Sequence, residues 1–323
     1  MYCLELAGED DAFAAAEAAA ALDADVDVVA PGLAVAADVA LDRVPVLAFT
    51  RHVGPLLART EASVDAAVAA LAEADVDREG TVAVRARDVR GTAGIDTQRA
   101  ERRLGAVLVE RGLAVDLDDP DHELRAAFAD GTCLLAWRAA ASVRDFGGRR
   151  PTDRPFFQPG SMDPLLARAL CNLAGARPGT VLLDPMCGTG GVLLEAGLVG
   201  ARAVGSDAQR KMARGARENL AHYLGGGFDV LRGDATRLGL RDDAVDCVVF
   251  DAPYGRQSKV ATHALSDLVG GALREARRVA TGRCVLVADR DWRAAARAAD
   301  WTVDARFERR VHRSLTRHLL VLE

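Results

Sequence analysis

A short apolar run that ends in an acid and breaks into a glycine-rich turn constrains this chain more than any other stretch. Val181-Leu-Leu-Asp184 leads to Gly188, Gly190 and Gly191, and an apolar helical pattern begins there. Glycines at such a turn let the backbone approach a ligand closely at the start of the helix. From Val181 onward, strand-like and helix-like segments alternate. Strands are expected at 181–184, 203–207, 228–231, 245–251 and 284–289. Helices are expected between them, at about 191–198, 210–224, 265–280 and 291–299. Near-continuous Val and Leu runs mark strands covered on both faces. The expected fold class is therefore α/β, with a parallel, doubly wound, Rossmann-like sheet. Residues 301–312 and 315–320 break the alternation around Ser314 and predict a C-terminal hairpin on the sheet edge.

Ligands of such sheets bind at the C-terminal strand ends. Asp184, Asp207, Asp234 and Asp251 end or follow the first four of these strands and so converge there. Asp207 is placed to accept from ribose hydroxyls, and Asp234, followed by Ala235, from an adenine amino group. A glycine turn alone equally suits a dinucleotide enzyme. The Asp184-Pro-Met-Cys-Gly188-Thr-Gly190 spacing differs from Gly-x-Gly-x-x-Gly and favours S-adenosylmethionine (SAM) over NAD. The expected cofactor set is Asp184, Gly188, Gly190, Asp207, Asp234 and Ala235.

The run Val248–Asp251 delivers Asp251, Pro253 and Tyr254, the expected catalytic residues. Asp251-Ala252-Pro253-Tyr254 resembles the Asp/Asn-Pro-Pro-Tyr motif of amino-methyltransferases, departing from it at Ala252. The chemistry of that motif is direct. An exocyclic amine on a base is a poor nucleophile because its lone pair is delocalised. A carboxylate and a backbone carbonyl that accept its N–H bonds favour a pyramidal nitrogen and help carry away its proton. An aromatic ring stacks on the base and sets its plane.

Ahead of the sheet, residues 1–45 read as a small α+β, ferredoxin-like unit and 46–143 as a second α+β unit, with strands at 46–49 and 81–87 among others. Residues 144–160, with glycine, proline and several arginines, read as a basic linker, and 161–323 as the catalytic domain. Arg85 and Arg87 share one strand face, and Arg144, Arg149 and Arg150 lie in a linker whose composition suits tracking a phosphate backbone; a plain solvated surface is the alternative for all five. The net charge of −6 does not advertise a nucleic-acid binder, so arginine placement matters more than the sum.

The six cysteines are scattered without a Cys-x-x-Cys pair and read as buried small hydrophobes. Histidines and acids show no zinc spacing, so no metal is expected. The start lacks the pattern of a signal peptide, and no apolar run is long enough to span a bilayer. A cytoplasmic monomer that avoids membranes is the expectation.

The strand around 82–87, Leu104-Gly105 and Val115–Asp121 resemble a THUMP domain, which binds RNA in tRNA-modifying enzymes; that resemblance implies RNA contact for Arg85 and Arg87. An α/β sheet ending in a hairpin is similar to class I SAM-dependent methyltransferases. Phe157–Met162, Asp184–Gly191, Asp251–Gly255 and Arg310–Arg317 extend the likeness over nearly the whole chain, to archaeal THUMP-containing tRNA guanine-N2 methyltransferases. The resemblance implies transfer of one and then two methyl groups to N2 of guanosine at tRNA position 10. It implies that Asp251 meets the amine, Tyr254 stacks on the base, and the N-terminal domains hold tRNA by its shape and phosphates. Arg309, Arg310, His312, Arg313 and Arg317 are further candidate contacts or the solvated face of the hairpin. Another tRNA guanosine, ribosomal RNA, or a catalytically silent RNA-binding module are the alternatives.

Overall fold

A computed structural model of the chain describes residues 1–254, 262–312 and 315–323. It falls into two units, Met1–Val143 and Arg144–Glu323. The first contains β1 (Tyr2–Leu6), α1 (Asp11–Leu22), β2 (Val26–Ala30), β3 (Leu33–Ala36), β4 (Thr50–Glu61), α2 (Val64–Glu73) and β5 (Thr81–Asp88). It continues with α3 (Thr97–Glu110), β6 (Ala114–Val115), β7 (His122–Ala129), β8 (Thr132–Trp137) and β9 (Ala140–Ala141). The strands form one sheet in the order β2-β3-β1-β4-β8-β7-β5-β6, with β9 on β4.

Strand β4 joins the two N-terminal segments. Its first half pairs with β1 and its second half with β8, both antiparallel. The sheet therefore runs without a break across residue 45. Gly54 makes this possible by close approach: a Cβ there would lie 1.6 Å from the Trp137 carbonyl oxygen. The strand expected at 46–49 does not form. Leu41–Val46 is a 3₁₀ turn, and the buried Glu17 carboxylate on α1 accepts from the Ala48 and Phe49 N–H groups, both at 2.7 Å. Those are donors that a strand ladder would have used.

The second unit is α4 (Pro164–Ala174), β10 (Val181–Asp184), α5 (Gly191–Leu198), β11 (Arg202–Asp207), α6 (Arg210–Tyr223) and β12 (Phe228–Arg232). Then come β13 (Cys247–Asp251), α7 (Thr262–Val279), β14 (Cys284–Ala288), α8 (Arg293–Ala298), β15 (Val303–His312) and β16 (Leu315–Leu322). The sheet order is β12-β11-β10-β13-β14-β16-β15. The first five strands are parallel, as their apolar runs require. Strand β16 is antiparallel to both β14 and β15, so the hairpin's second strand lies inside the sheet and its first forms the edge. Phe250, Val248, Leu286 and Leu322 are fully buried in its core. Burying each such side chain contributes roughly 1.5–3 kcal/mol.

Residues 144–163 are packed on this unit and do not form a free connector. Arg149 is only 3% exposed. Its Nε and Nη2 donate to the Glu195 carboxylate at 2.6 and 3.2 Å, and Arg168 Nη2 lies 2.8 Å from the same group. Pro164 starts α4 with Asp163 as its cap, the Asp163 carboxylate accepting from the Leu165 N–H at 2.9 Å. All six cysteines are buried and unbridged. No helix among the described residues is long and apolar enough to cross a membrane.

Candidate active site

The turn after β10 is built by glycines with left-handed backbone. Gly188 has φ +52° and Gly190, the residue that caps α5, has φ +79°. An L side chain is strained at either position. The Gly188 N–H donates to Asp207 Oδ2 at 3.1 Å and the Gln209 N–H to Asp207 Oδ1 at 2.8 Å. Each carboxylate oxygen keeps acceptor capacity beyond that one bond. Burial holds the Asp207 carboxyl above the usual carboxylate range against these two donors. Asp184 is 3% exposed and accepts from the Met186 N–H at 3.0 Å. Burial raises it well above its ordinary value, the Met186 donor opposes that rise, and nearby Asp207 and Asp251 add to it.

Asp184, Gly188 and Asp251 line one cavity of about 160 Å³, together with Ser161, Met162 and Val192. Gly190, Asp207, Asp234 and Ala235 lie outside its lining. Asp207 adjoins it through the Gly188 bond. Asp234 is exposed, with Oδ1 accepting from Thr236 N–H at 2.9 Å and from its hydroxyl at 2.8 Å, and Ala235 is buried beside it.

Residues 154–162 form a strap against this turn, a role the sequence reading did not assign. Asn219 on α6 fixes it. The Phe156 N–H donates to Asn219 Oδ1 at 2.8 Å, and Asn219 Nδ2 donates to the carbonyls of Phe156 at 2.8 Å and Thr189 at 2.9 Å. Ser161 and Thr189 hydroxyls lie 3.0 Å apart. Gly215 on α6 leaves room for Phe156, because a Cβ there would sit 1.9 Å from the ring. A buried polar residue on an otherwise polar helix leaves no periodic signal, so Asn219 was not legible from the sequence.

At the end of β13, Asp251, Pro253 and Tyr254 are partly buried. The Tyr254 hydroxyl donates to Asp251 Oδ1 at 2.7 Å. Arg317 on β16 donates from Nε to the Tyr254 oxygen at 2.9 Å, with its Nη2 3.9 Å from Asp251 Oδ2. Burial pushes Asp251 up to about 6, opposed first by Arg317 and then by the Tyr254 hydrogen bond, with Asp289 adding to the rise. Ala252, where the motif usually has proline, donates its N–H to the Val287 carbonyl at 2.8 Å. This is the last ladder bond of the β13–β14 pairing, and a proline at this position would have no N–H to make it.

The expected RNA contacts separate. Arg149 is buried in the ion pair with Glu195, which removes it from the set. Arg144 and Arg150 are exposed. Arg85 and Arg87 are half-buried: Arg85 Nη2 donates to the Leu117 carbonyl at 2.6 Å, and Arg87 lies 3.7 Å from the buried Glu5. Arg317, read as a possible solvated hairpin residue, is 7% exposed. Gly255, Arg313 and Ser314 lie outside the described residues, as does the side chain of His312. Among the described residues, no group of three or more His, Cys, Asp or Glu side chains is placed to hold a metal ion.

Residues 151–318 match the RMKL-like methyltransferase domain, and residues 58–137 match the THUMP domain. The chain is 41% identical over 246 residues to a tRNA (guanine(10)-N2)-dimethyltransferase of Methanothermobacter thermautotrophicus, covering 75% of this chain and 72% of that protein. It is 31% identical over 254 residues to the protein of the same name from Pyrococcus abyssi, covering 76% and 74%. Its fold is similar to the crystal structure of TrmN from Thermus thermophilus, with a TM-score of 0.52 and 24% identity over 100% of this chain and 99% of that one.

Proposed function

Because the chain belongs to the RMKL-like methyltransferases, with a THUMP domain ahead of the methyltransferase domain, we propose that it methylates the exocyclic N2 amine of guanosine at position 10 of tRNA, once and then twice. The relatives named for that reaction support the substrate. The observation that carries the chemistry is Asp251, a carboxylate at a strand end that lines the same cavity as Asp184 and Gly188.

The residues fit SAM. Glycines give backbone access, and Asp207 retains acceptor capacity for a ribose diol. Asp184 and Gly188, which line the cavity, would hold the cofactor at the glycine turn, and Asp207 and Asp234, outside that lining, would accept from its ribose and its adenine amino group. Bound there, SAM supplies an electrophilic methyl group.

Asp251 does the rest with its neighbours. Its carboxylate and a backbone carbonyl of the motif accept the two N–H bonds of the guanine amine. The nitrogen lone pair is thereby turned out of conjugation with the ring. The Tyr254 ring lies on the base and sets its plane, so transfer depends on positioning and on acceptance of the released proton. Guanine in a duplex has to leave its stack to reach such a site. The THUMP-containing unit and the exposed Arg144 and Arg150 hold tRNA by its backbone.

The test is methyl transfer from labelled SAM to unmodified tRNA, followed by nucleoside analysis and position mapping. N2-methylated and N2,N2-dimethylated guanosine at position 10 is the expected result. Label on another nucleoside would keep the enzyme class and replace the substrate. SAM binding without transfer to any RNA would favour a silent RNA-binding module.

A further inference from the structure

Arg317 brings a buried guanidinium to the catalytic motif from the C-terminal hairpin. It sits on β16, opposite Arg309 of β15, one residue before the point where His318 faces Ala288 of β14. It does not line the cavity that Asp184, Gly188 and Asp251 share. Its contacts run instead to Tyr254 and Asp251.

Arginine has five N–H donors and no acceptor. With Arg317 Nε donating to the Tyr254 oxygen at 2.9 Å, the phenol proton is turned away from the guanidinium. It goes to Asp251 Oδ1 at 2.7 Å. The direction of the chain is therefore fixed: Arg317 to Tyr254 to Asp251. A hydrogen-bonded chain of this kind inside a protein polarises its members and holds them more rigidly than separate pairs would.

We infer that Arg317 is a positioning residue for methyl transfer, which through the Tyr254 hydroxyl locks the ring that receives the base and leaves Asp251 Oδ2 to accept from the amine. The inference rests on the function proposed above. It assigns the hairpin a part in the reaction: β16 carries the group that sets the geometry of a motif 63 residues earlier in the chain.

Ionisation of Asp251 depends on the same contact. The titratable or charged groups facing it among the described residues are Tyr254, Arg317, Asp289 after β14, and Asp184 on β10. Arg317 is the cation of that set. Its removal raises the pH at which Asp251 becomes a carboxylate.

The test uses the full chain with Arg317→Gln, Arg317→Lys, Tyr254→Phe, and the double variant Tyr254→Phe/Arg317→Gln. Single-turnover transfer to tRNA is followed against pH, with SAH affinity and melting temperature measured alongside. Arg317→Gln is expected to slow transfer by about 10- to 100-fold. It should also move the acid limb of kcat/KM to higher pH while SAH affinity stays within about twofold, since Arg317 lies outside the cofactor cavity. Arg317→Lys is expected to recover part of the rate, because an ammonium can still donate to the hydroxyl. The double variant should be no slower than the slower single, as expected for two residues acting through one bond. Tyr254→Phe breaks the chain at its middle member and keeps the test valid where Arg317→Gln fails to fold.

An Arg317→Gln protein with unchanged rate and unchanged acid limb overturns the inference, and so do losses in the two single variants that multiply in the double. Carbon-13 titration of Asp251 in the free protein separates this from the substrate reading. If Arg317→Gln shifts that titration while the wild-type protein methylates no tRNA guanosine, the substrate reading fails and the Arg317–Tyr254–Asp251 coupling stands.

Discussion

In the role proposed for it, Asp251 meets two opposed demands. To accept hydrogen bonds from an amine and then its proton it must be ionised, yet burial holds its carboxyl up at about 6. Because the folded-state value lies above the ordinary carboxylate value, the group's contribution to stability is fully present below that ordinary value. It is lost as pH rises through about 6. The active, ionised form is thus the less stable one. Two outcomes are expected at this scale. In the wild-type protein, kcat/KM for transfer falls about tenfold per pH unit below about 6, read from single-turnover rates. Asp251→Asn keeps the shape and loses the charge; it should cut transfer by at least about 100-fold and leave SAH affinity within a few-fold. A large loss of SAH affinity with transfer intact at saturation would contradict the role given to Asp251. The position of this aspartate at a strand end, followed by Pro253 and Tyr254, was legible in the sequence, because an acid ending an apolar run marks such an edge. Its link to Arg317 was not. A single arginine in an alternating strand reads as solvent-facing, and only the strand order brings it to the motif.

Among the elements, the strap over 154–162 shows how helix α6 supports the glycine turn. Asn219 satisfies two backbone groups of Phe156 and one of Thr189 at once. Asn219→Ala would leave all three without that partner, and each unsatisfied buried group costs about 1–3 kcal/mol. The expected outcome is SAH binding weakened by about tenfold or more, with transfer at saturating SAM much less affected. Calorimetric titration of SAH against the two proteins checks it, and equal affinities would show the strap to be dispensable. The β13–β14 join offers a second test. Ala252→Pro restores the commoner motif but removes the bond from the Ala252 N–H to the Val287 carbonyl. It should lower stability by about 1 kcal/mol, measured by denaturant unfolding. The strand expected at 81–87, observed as Thr81–Asp88, and the alternation after Val181 were readable from periodicity. The long strand β4 was not, because Gly54-Pro55 interrupts any pattern. That glycine is required by the approach of the Trp137 carbonyl, a partner 83 residues later.

At the scale of the whole molecule, a chain of net charge −6 binds a polyanion through the placement of its cations. The structure sorts the arginines of 144–154 in a way composition does not. Arg149 is committed to the fully buried Glu195, and Arg154 is 4% exposed, its Nε donating to the Arg149 carbonyl at 3.1 Å. Arg144 and Arg150 face solvent. Replacing Arg144 and Arg150 with alanine should therefore weaken tRNA binding and flatten the slope of log affinity against log salt by about 1 for each phosphate that is no longer neutralised. Arg149→Ala should leave the slope unchanged and instead destabilise the fold by about 1–3 kcal/mol, less than the full cost of breaking a buried ion pair because Arg168 remains on Glu195. Filter binding across salt concentrations, with a melting curve for each variant, distinguishes the two. A flattened slope for Arg149→Ala would return that residue to the RNA-contact set.

By itself the sequence determined the α/β class of the second half, the acids at its strand ends, the glycine turn and the Asp251-Ala-Pro-Tyr254 segment at the end of β13. These features are local: apolar runs, strand-ending acids and positive-φ glycines act within a few residues of where they are written. The tertiary structure alone decided that one strand joins the two N-terminal segments, that the basic stretch before α4 is packed down by Glu195 and Asn219, and that Arg317 reaches Tyr254. Each of those depends on a partner tens of residues away. A buried polar side chain carries no sign in the sequence of which distant group will satisfy it.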